Sequence, residues 1–151
     1  MAIVSVLTTD SELGRRMLAS PAVAATNPVT IAAVVRDLLA TMHSLPAGAG
    51  LAAPQIGVPL RIFVARRDPV YDYVLINPEL VESSAGGLWA HETCFSVSGS
   101  SVRTYRHWWV RVRGTDRRGR RIVVRVHGDL ARTFQHEMDH LDGIYIKPEQ
   151  E

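Results

Sequence analysis

The sequence is poor in cysteine, in aromatic residues and in long apolar runs. Its 151 residues include one cysteine and 7% aromatic side chains. The single cysteine, Cys94, excludes an intramolecular disulfide and is typical of a reducing compartment. No run reaches about 18 consecutive apolar residues, which argues against a transmembrane helix. The first residues lack the basic start of a signal peptide. We therefore expect a soluble protein of the cytoplasm without a membrane partner.

An excess of charge of one sign is also lacking. Lysine and arginine number 17 against 15 acidic residues, so the formal net charge is only +2. This balance gives no reason to expect a specific nucleic-acid partner. Hydrophobic residues at 46% and charged residues at 21% are typical of a folded globular protein. With no internal repeat or linker, we predict one domain over residues 1–151, which is long enough to bury a core.

Hydrophobic periodicity predicts three helices. The clearest has apolar residues at the 3.6-residue period from Thr30, its expected N-cap, and stops before Pro46. A short helix is predicted over residues 10–20. A last helix is predicted from about Asp129 to Leu141, where Gly143 supplies a C-terminal stop.

Short apolar runs between these helices predict strands. The predicted strands are residues 61–65, 73–76, 108–113 and 122–126. Asn77-Pro78 is expected to end the second strand, and residues 116–120 form a hairpin loop between the last two. Helices combined with antiparallel strands, without β-α-β alternation, favour an α+β fold.

The last predicted helix carries the H-E-x-x-H pattern as His136, Glu137 and His140. Residues i and i+4 share one helix face, so both imidazoles can bind a single metal ion. Glu137 lies beside them, where a carboxylate can accept a proton from water. A hydrolytic site needs a third protein ligand. The candidates are Cys94, His91, Glu92 and the other acidic residues, and spacing does not choose among them.

A glycine-containing segment follows the second predicted helix. Gly48 and Gly50 stand two residues apart, which allows close approach of another backbone. The segment lacks the patterns of a nucleotide-binding loop and follows a helix rather than a strand. Composition alone favours a tight connection over a binding loop.

Together these segments resemble the peptide deformylase family. The family motifs G-x-G-L-A-A-x-Q, E-G-C-L-S and Q-H-E-x-D-H-L correspond to residues 48–55, 92–96 and 135–141. The first and third match at every defined position. The resemblance implies an α+β fold with mostly antiparallel sheets around a central C-terminal helix that carries H-E-x-x-H. It also implies a metal-dependent hydrolase that removes the formyl group from the N-terminal formyl-methionine of new polypeptides.

The resemblance further implies roles for individual residues. Cys94 becomes the third ligand beside His136 and His140, for one divalent ion that we expect to be Fe²⁺, with Zn²⁺ and Ni²⁺ as alternatives. Glu137 would carry a proton to the leaving amine. The Gln55 amide and the Phe95 backbone N–H would hold the oxyanion. Contacts with formylated peptide N-termini are expected from Ala49, Gly50, Glu92, Thr93 and Arg132.

The middle motif departs from the family pattern. Thr93 replaces glycine, Phe95 replaces leucine, and Ser98 stands where proline often follows. A β-branched Thr93 is expected to narrow the pocket that it lines. Ser98 is expected to loosen the strand. Two alternatives therefore stay open: an enzyme for another formylated peptide or metabolite, and a catalytically silent homologue that binds the ribosome or RNA.

The sequence ends at Glu151, without the C-terminal helix that some family members use at the ribosome. Any transient ribosome contact is therefore expected to use another surface. The candidate is the basic run Arg117, Arg118, Arg120 and Arg121, flanked by Arg111, Arg113 and Arg125. Charge runs of this kind more commonly form a solvated hairpin tip.

Overall fold

The computed structural model describes residues 2–147 and divides them among helices and antiparallel strands. The helices are α1 (Glu12–Leu18), α2 (Pro28–Ser44) and α3 (Gly128–Leu141), with a 3₁₀ turn at Ala53–Ile56. The strands are β1 (Gly50–Ala52), β2 (Ile62–Arg66), β3 (Asp72–Ser83), β4 (Gly87–Cys94), β5 (Val97–His107), β6 (Trp109–Thr115) and β7 (Arg121–His127). No helix in this part of the chain is long and apolar enough to span a membrane. The prediction that the C-terminal helix is missing depends on the end of the sequence at Glu151. That residue lies outside the described residues.

The strands form two antiparallel sheets. One has five strands in the order β1-β2-β3-β6-β7, and the other is the two-stranded β4–β5 hairpin. Helices α2 and α3 pack on opposite faces of the larger sheet. The predicted α+β fold, with antiparallel sheets around a C-terminal helix, is confirmed.

Strand β2 shows why the core has two halves. Ile62 and Val64 pack with α2, whereas Phe63 and Ala65 pack with α3. Because both faces are covered, the strand is continuously apolar rather than alternating. Phe63 meets Phe134 of α3 edge to face at 5.1 Å between ring centroids. This contact fixes α3, and with it the H-E-x-x-H residues, against the sheet.

The prediction that Thr30 caps α2 is wrong, because Asn27 takes that position. The Asn27 side chain accepts hydrogen bonds from the backbone N–H groups of Val29 and Thr30, at 3.0 and 3.1 Å. Pro28 occupies the first helical position, where its fixed φ angle suits the helix and its missing N–H costs nothing. The helix therefore begins three residues earlier than its apolar stripe indicates.

The prediction that Asn77-Pro78 ends a strand is also wrong, since β3 continues to Ser83. Asn77 adopts a left-handed φ of 51° at a register shift between β3 and β6. Its side chain accepts from the Ala25 N–H and donates to the Ala25 carbonyl, at 2.8 and 2.9 Å. Asparagine tolerates this conformation, so the residue makes a bulge within the strand rather than a terminus.

Candidate metal centre and active site

Helix α3 and the β4–β5 hairpin bring three potential metal ligands together. His136 and His140 lie one turn apart on α3, and Cys94 ends β4. Their ligand atoms all lie within 4.8 Å of one another, and Cys94 Sγ is 3.4 Å from His140 Nε2. Ligand atoms around a tetrahedral ion are separated by about 3.5 Å, given bonds of about 2.0–2.3 Å. The cluster therefore has the dimensions of a metal site.

The donor set also fits a divalent transition metal. One thiol and two imidazoles suit iron, zinc and nickel alike, so ligand chemistry does not select among them. His140 is fully buried, and Cys94 is half-buried. Glu137 is buried beside the cluster, and its Oε1 has no hydrogen-bond partner among the described residues. A buried carboxylate oxygen without a protein partner is suited to a water or substrate atom.

Glu92 holds the first of the two histidines. Its Oε1 accepts a hydrogen bond from His136 Nδ1 at 3.0 Å, which leaves Nε2 available for a metal. Arg106 donates to both carboxylate oxygens, each at 3.0 Å, and to Asp139 Oδ2. Arg132 Nη2 donates to Glu92 Oε2 at 2.8 Å. Glu92 is thus at the centre of a largely buried ion-pair network around His136.

The network separates the proton affinities of neighbouring groups. Burial raises the pKa of Glu92, but hydrogen bonds from His136 and Arg106 outweigh it and lower the pKa to about 2. Burial lowers the pKa of His136, yet hydrogen bonds with Cys94 and Glu92 raise it to about 10. Burial, with the nearby positive charges of His136 and Arg106, lowers the pKa of His140 to about 3. His140 is therefore a neutral imidazole at physiological pH, which is the form that binds metals, whereas His136 is protonated and must release its Nε2 proton to bind a metal.

The pKa of Glu137 is shifted in the opposite direction from that of Glu92. Burial raises the pKa of Glu137 to about 7, although the positive charges of His136 and Arg106 oppose the effect. The difference follows from hydrogen bonding, since Glu92 receives several donors and Glu137 Oε1 receives none among the described residues.

Gln55 lies in the 3₁₀ turn after β1 and is buried. Its Oε1 accepts from the Ala52 N–H at 2.9 Å, and its Nε2 donates to Ser96 Oγ at 3.1 Å. The same Nε2 lies 3.8 Å from Cys94 Sγ. These contacts orient the amide so that Nε2, with its two hydrogens, is directed toward the cysteine.

The N-terminal segment, residues 7–10, connects the first and middle motifs. The Leu7 N–H donates to the Gln55 carbonyl at 2.7 Å, and the Thr9 N–H donates to the Ser96 carbonyl at 2.8 Å. Ser98 Oγ donates to Asp10 Oδ1 at 2.9 Å. The serine that stands in place of proline therefore ties the hairpin to this segment.

A cavity of about 240 Å³ opens beside the three potential metal ligands. The residues that line it are Pro46, Ala47, Ala49, Gly50, Gln55, Glu92, Thr93, Cys94, Phe95, Arg132, Thr133, His136 and Glu137. Every predicted substrate-contact and catalytic residue is among them, together with two of the three predicted ligands. Asp129, the expected start of the last helix, is exposed in the first turn of α3, whose N-cap is His127.

Three residues of the site were not predicted from the sequence. Arg106 bridges Glu92 and Asp139, and Ser96 fixes the Gln55 amide. Arg106 lies on a polar strand with no local motif, so nothing in the sequence connects it with Glu92. Ser96 and Asp139 are defined letters of the middle and third family motifs, and that signal marks them.

The Arg132 guanidinium forms hydrogen bonds within the protein and is not free in the cavity. Besides Glu92, its guanidinium donates to the carbonyls of Leu88 and Thr104, at 2.9 and 2.8 Å. One side chain of α3 thereby holds both strands of the β4–β5 hairpin. We assign Arg132 a positioning contribution in addition to its predicted contact with substrate.

Replacing Glu92 with glutamine tests the network. The change keeps the shape but leaves Arg106 and Arg132 without their counter-charge, so we expect a loss of roughly 3–5 kcal/mol in unfolding free energy. Metal affinity should fall about 10- to 100-fold, because the Nδ1 partner of His136 is weakened. Denaturant titration and competition with a chelator measure the two effects.

The matched control is Glu82→Gln, which removes an exposed carboxylate 3.5 Å from Arg111. Exposed ion pairs contribute about 0–1 kcal/mol, so this variant should resemble the parent. Equal metal affinity in the two variants would contradict the positioning role of Glu92.

Comparison with known proteins places the chain in a family. The family profile described as polypeptide deformylase matches residues 10–149. A peptide deformylase of Thermodesulfovibrio yellowstonii is 41% identical over 117 residues, which cover 75% of this chain and 70% of that protein. The peptide deformylase of Symbiobacterium thermophilum is 38% identical over 153 residues, covering 95% of this chain but 65% of the relative.

A solved structure extends the likeness to the whole fold. The deformylase of the Vibrio parahaemolyticus bacteriophage VP16T, in complex with actinonin, superimposes with a TM-score of 0.83 at 32% sequence identity. The match covers 95% of this chain and 100% of the phage chain.

Proposed function

Because the chain belongs to the polypeptide deformylase family of metal-dependent hydrolases, we propose that it releases formate from N-terminal formyl-methionine with Glu137 as proton carrier. The observation that supports this most directly is the convergence of Cys94, His136 and His140 beside a buried carboxylate. The ligand set, with Fe²⁺ as the expected ion and Zn²⁺ or Ni²⁺ as alternatives, is part of the proposal.

Each group of the site has a separate role in the proposed reaction. When bound, a divalent ion supplies Lewis acidity that polarises the formyl carbonyl and lowers the pKa of water. Glu137 accepts the proton from the attacking water and donates it to the leaving amine, a task suited to a buried carboxylate with one free oxygen. The Gln55 amide, directed toward Cys94, donates to the developing oxyanion together with the Phe95 N–H.

Gly50 supports this arrangement. A β-carbon at this position would come within 2.8 Å of Thr133 Cγ2 and 2.9 Å of Glu137 Oε2. Only glycine lets β1 approach the carboxylate this closely, and β1 is an edge strand of the larger sheet. An extended peptide is proposed to pair with this edge, which places its formyl end near Glu137.

The direct test is release of formate from formyl-Met-Ala-Ser by protein loaded anaerobically with Fe²⁺. We expect turnover that depends on the ion and is restored after chelation by Fe²⁺, and comparison with Zn²⁺- and Ni²⁺-loaded protein ranks the metals. Absence of turnover with every ion, at full metal occupancy, would contradict the proposal and favour the silent homologue.

Thr93 tests whether the enzyme favours formyl-methionine or another formylated molecule. Its exposed side chain lines the cavity. Removing about one or two methylene-sized obstructions changes specificity by roughly 10- to 200-fold. We therefore expect Thr93→Gly to raise kcat/KM for formyl-Met-Ala-Ser by about 10-fold or more.

Thr93→Ala serves as the control, because it removes most of the same atoms without the backbone freedom of glycine. A rise in both variants assigns the effect to side-chain volume. If kcat/KM were unchanged on formylated Met, Leu and Gly peptides, Thr93 would play no part in specificity.

Two finer expectations accompany the proposal. A cytoplasmic location follows from action on new polypeptides. A transient ribosome contact through the hairpin tip is supported by the exposure of Arg117 and Arg118. Arg120 and Asp116, by comparison, form an ion pair at 2.9 Å and contribute little net charge there.

A further inference from the structure

A second cavity continues from the catalytic one. It has a volume of about 490 Å³ and shares Ala47 and Ala49 with the first cavity. Its distinctive residues are Arg66, Arg67, Asp68 and Pro69, at and after the end of β2. The two spaces therefore meet at the residues immediately before β1.

The direction of an extended substrate leads into this second cavity. A peptide antiparallel to β1, with its formyl group near Glu137 and Gly50, runs past Ala49 and Ala47. Extended chains rise about 3.3 Å per residue, so three residues of the peptide span about 10 Å, and Arg67 lies two residues beyond Ala65, the partner of Gly50 in β2. The third residue of the peptide thus arrives beside Arg66 and Arg67.

Arg66 is engaged with the wall of the cavity. Its Nε donates to the Gly48 carbonyl at 3.2 Å, and its Nη2 lies 2.9 Å from His43 Nδ1. His43 Nε2 in turn lies 2.7 Å from Asp72 Oδ2. Arg66 therefore holds the segment before β1 in place and has little freedom to bind a ligand.

Arg67 is available. Its side chain is 57% exposed, and no described residue accepts a hydrogen bond from its guanidinium. Its nearest carboxylate oxygen, Asp68 Oδ2, is 4.0 Å from Nε, which is longer than a hydrogen bond. The guanidinium lies 6.0 and 5.8 Å from the ring centroids of Tyr71 and Tyr73, so two aromatic rings flank it.

The turn after β2 presents Arg67 in a defined position. The N–H groups of Arg67 and Asp68 both donate to the Tyr71 carbonyl, at 3.0 and 3.2 Å. Asp68 Oδ1 accepts from the N–H groups of Val70 and Tyr71, at 2.8 and 2.9 Å. Asp68 thus braces the turn, and its other oxygen forms only a long ion pair with Arg67 Nε, without a hydrogen bond.

We propose that Arg67 is a specificity residue that binds a carboxylate on the third residue of the substrate, so that the enzyme favours formylated peptides with an acidic side chain there. The inference rests on the proposed deformylase function. The planar guanidinium matches a carboxylate with two parallel hydrogen bonds.

The test compares formyl-Met-Ala-Glu-amide with formyl-Met-Ala-Gln-amide, which differ in charge but hardly in shape. The blocked C-terminus removes the competing terminal carboxylate, and formyl-Met-Ala-Gln with a free C-terminus measures that source separately. We expect kcat/KM to favour the glutamate peptide by about 2- to 5-fold at low ionic strength, as for an exposed ion pair. At about 0.5 M salt the ratio should approach one.

Variants assign the preference to its residue. Arg67→Gln should bring the ratio to about one, chiefly by lowering kcat/KM for the glutamate peptide, and Arg67→Lys should restore part of the ratio. Arg36→Gln, an exposed arginine on α2 that lines neither cavity, is the matched control and should keep the full ratio. A ratio of one in the parent protein, or a ratio unchanged by Arg67→Gln, overturns the inference. Failure to cleave the glutamine peptide at all overturns the proposed function and the inference with it.

Discussion

Glu137→Gln is expected to lower kcat by about 10²- to 10⁴-fold, the usual contribution of a positioned general acid–base. Glutamine keeps the size of the buried side chain but cannot accept the proton from water and return it to the amine. Glu137 is not one of the three clustered ligands, so the variant should still bind one metal ion per chain. Steady-state formate release and elemental analysis of the same sample give both quantities.

Glu79→Gln is the control for this experiment. Glu79 is exposed on β3, where it forms an ion pair with Arg113. It does not line the catalytic cavity. Its activity should equal that of the parent protein. A Glu137→Gln variant that loses metal yet retains the parent's activity per bound ion would show that the carboxylate helps to hold the ion and transfers no proton.

Cys94→Ala should abolish stoichiometric metal binding, with the affinity for the metal reduced by more than about 100-fold. Losing a group that only orients a metal ligand costs about 10- to 100-fold in affinity, and losing the ligand itself must cost more. The fold should persist, because Cys94 is half-buried at the end of a hairpin that Arg132 also holds. Metal content after dialysis and far-UV circular dichroism separate these outcomes.

His91→Ala distinguishes Cys94 from the competing third ligand that spacing left open. His91 is exposed on β4, and its Nδ1 lies 3.4 Å from Ser101 Oγ. We expect this variant to retain one ion per chain. Retention of metal by Cys94→Ala, together with its loss from His91→Ala, would require a different ligand set.

The elements that could be predicted have either an apolar periodicity that reflects a single buried face or, like β2, a continuous apolar run covered on both faces. Helix α2 and the β6–β7 hairpin meet the first condition, and Asp116 to Arg120 form the expected loop. Strands β4 and β5 do not, because one face of their small sheet carries exposed Trp89 and Tyr105. Apolar residues on the solvent side hide the alternation from which a strand is inferred.

The residues of the candidate site could be predicted from the sequence, but the contacts that hold them in place could not. The helical spacing of His136 and His140 already places two imidazoles on one face, and the ordered motifs point to Cys94. The partner of His136, by contrast, depends on the pairing of Glu92 with Val102 across the hairpin, which sets Arg106 on the same strand pair. Register between strands is a tertiary property, so the Glu92–Arg106 contact has no counterpart in local sequence.

The N-terminal segment makes the amide hydrogens of Leu7 and Thr9 reporters on the catalytic centre. Each is bonded to a carbonyl of a different motif, those of Gln55 and Ser96. Their exchange with deuterium requires this segment to lift away from both motifs, a local opening that costs less than global unfolding. Any ligand that draws Gln55 and the hairpin together slows this opening, so binding far from the first residues of the chain becomes visible in their exchange rates.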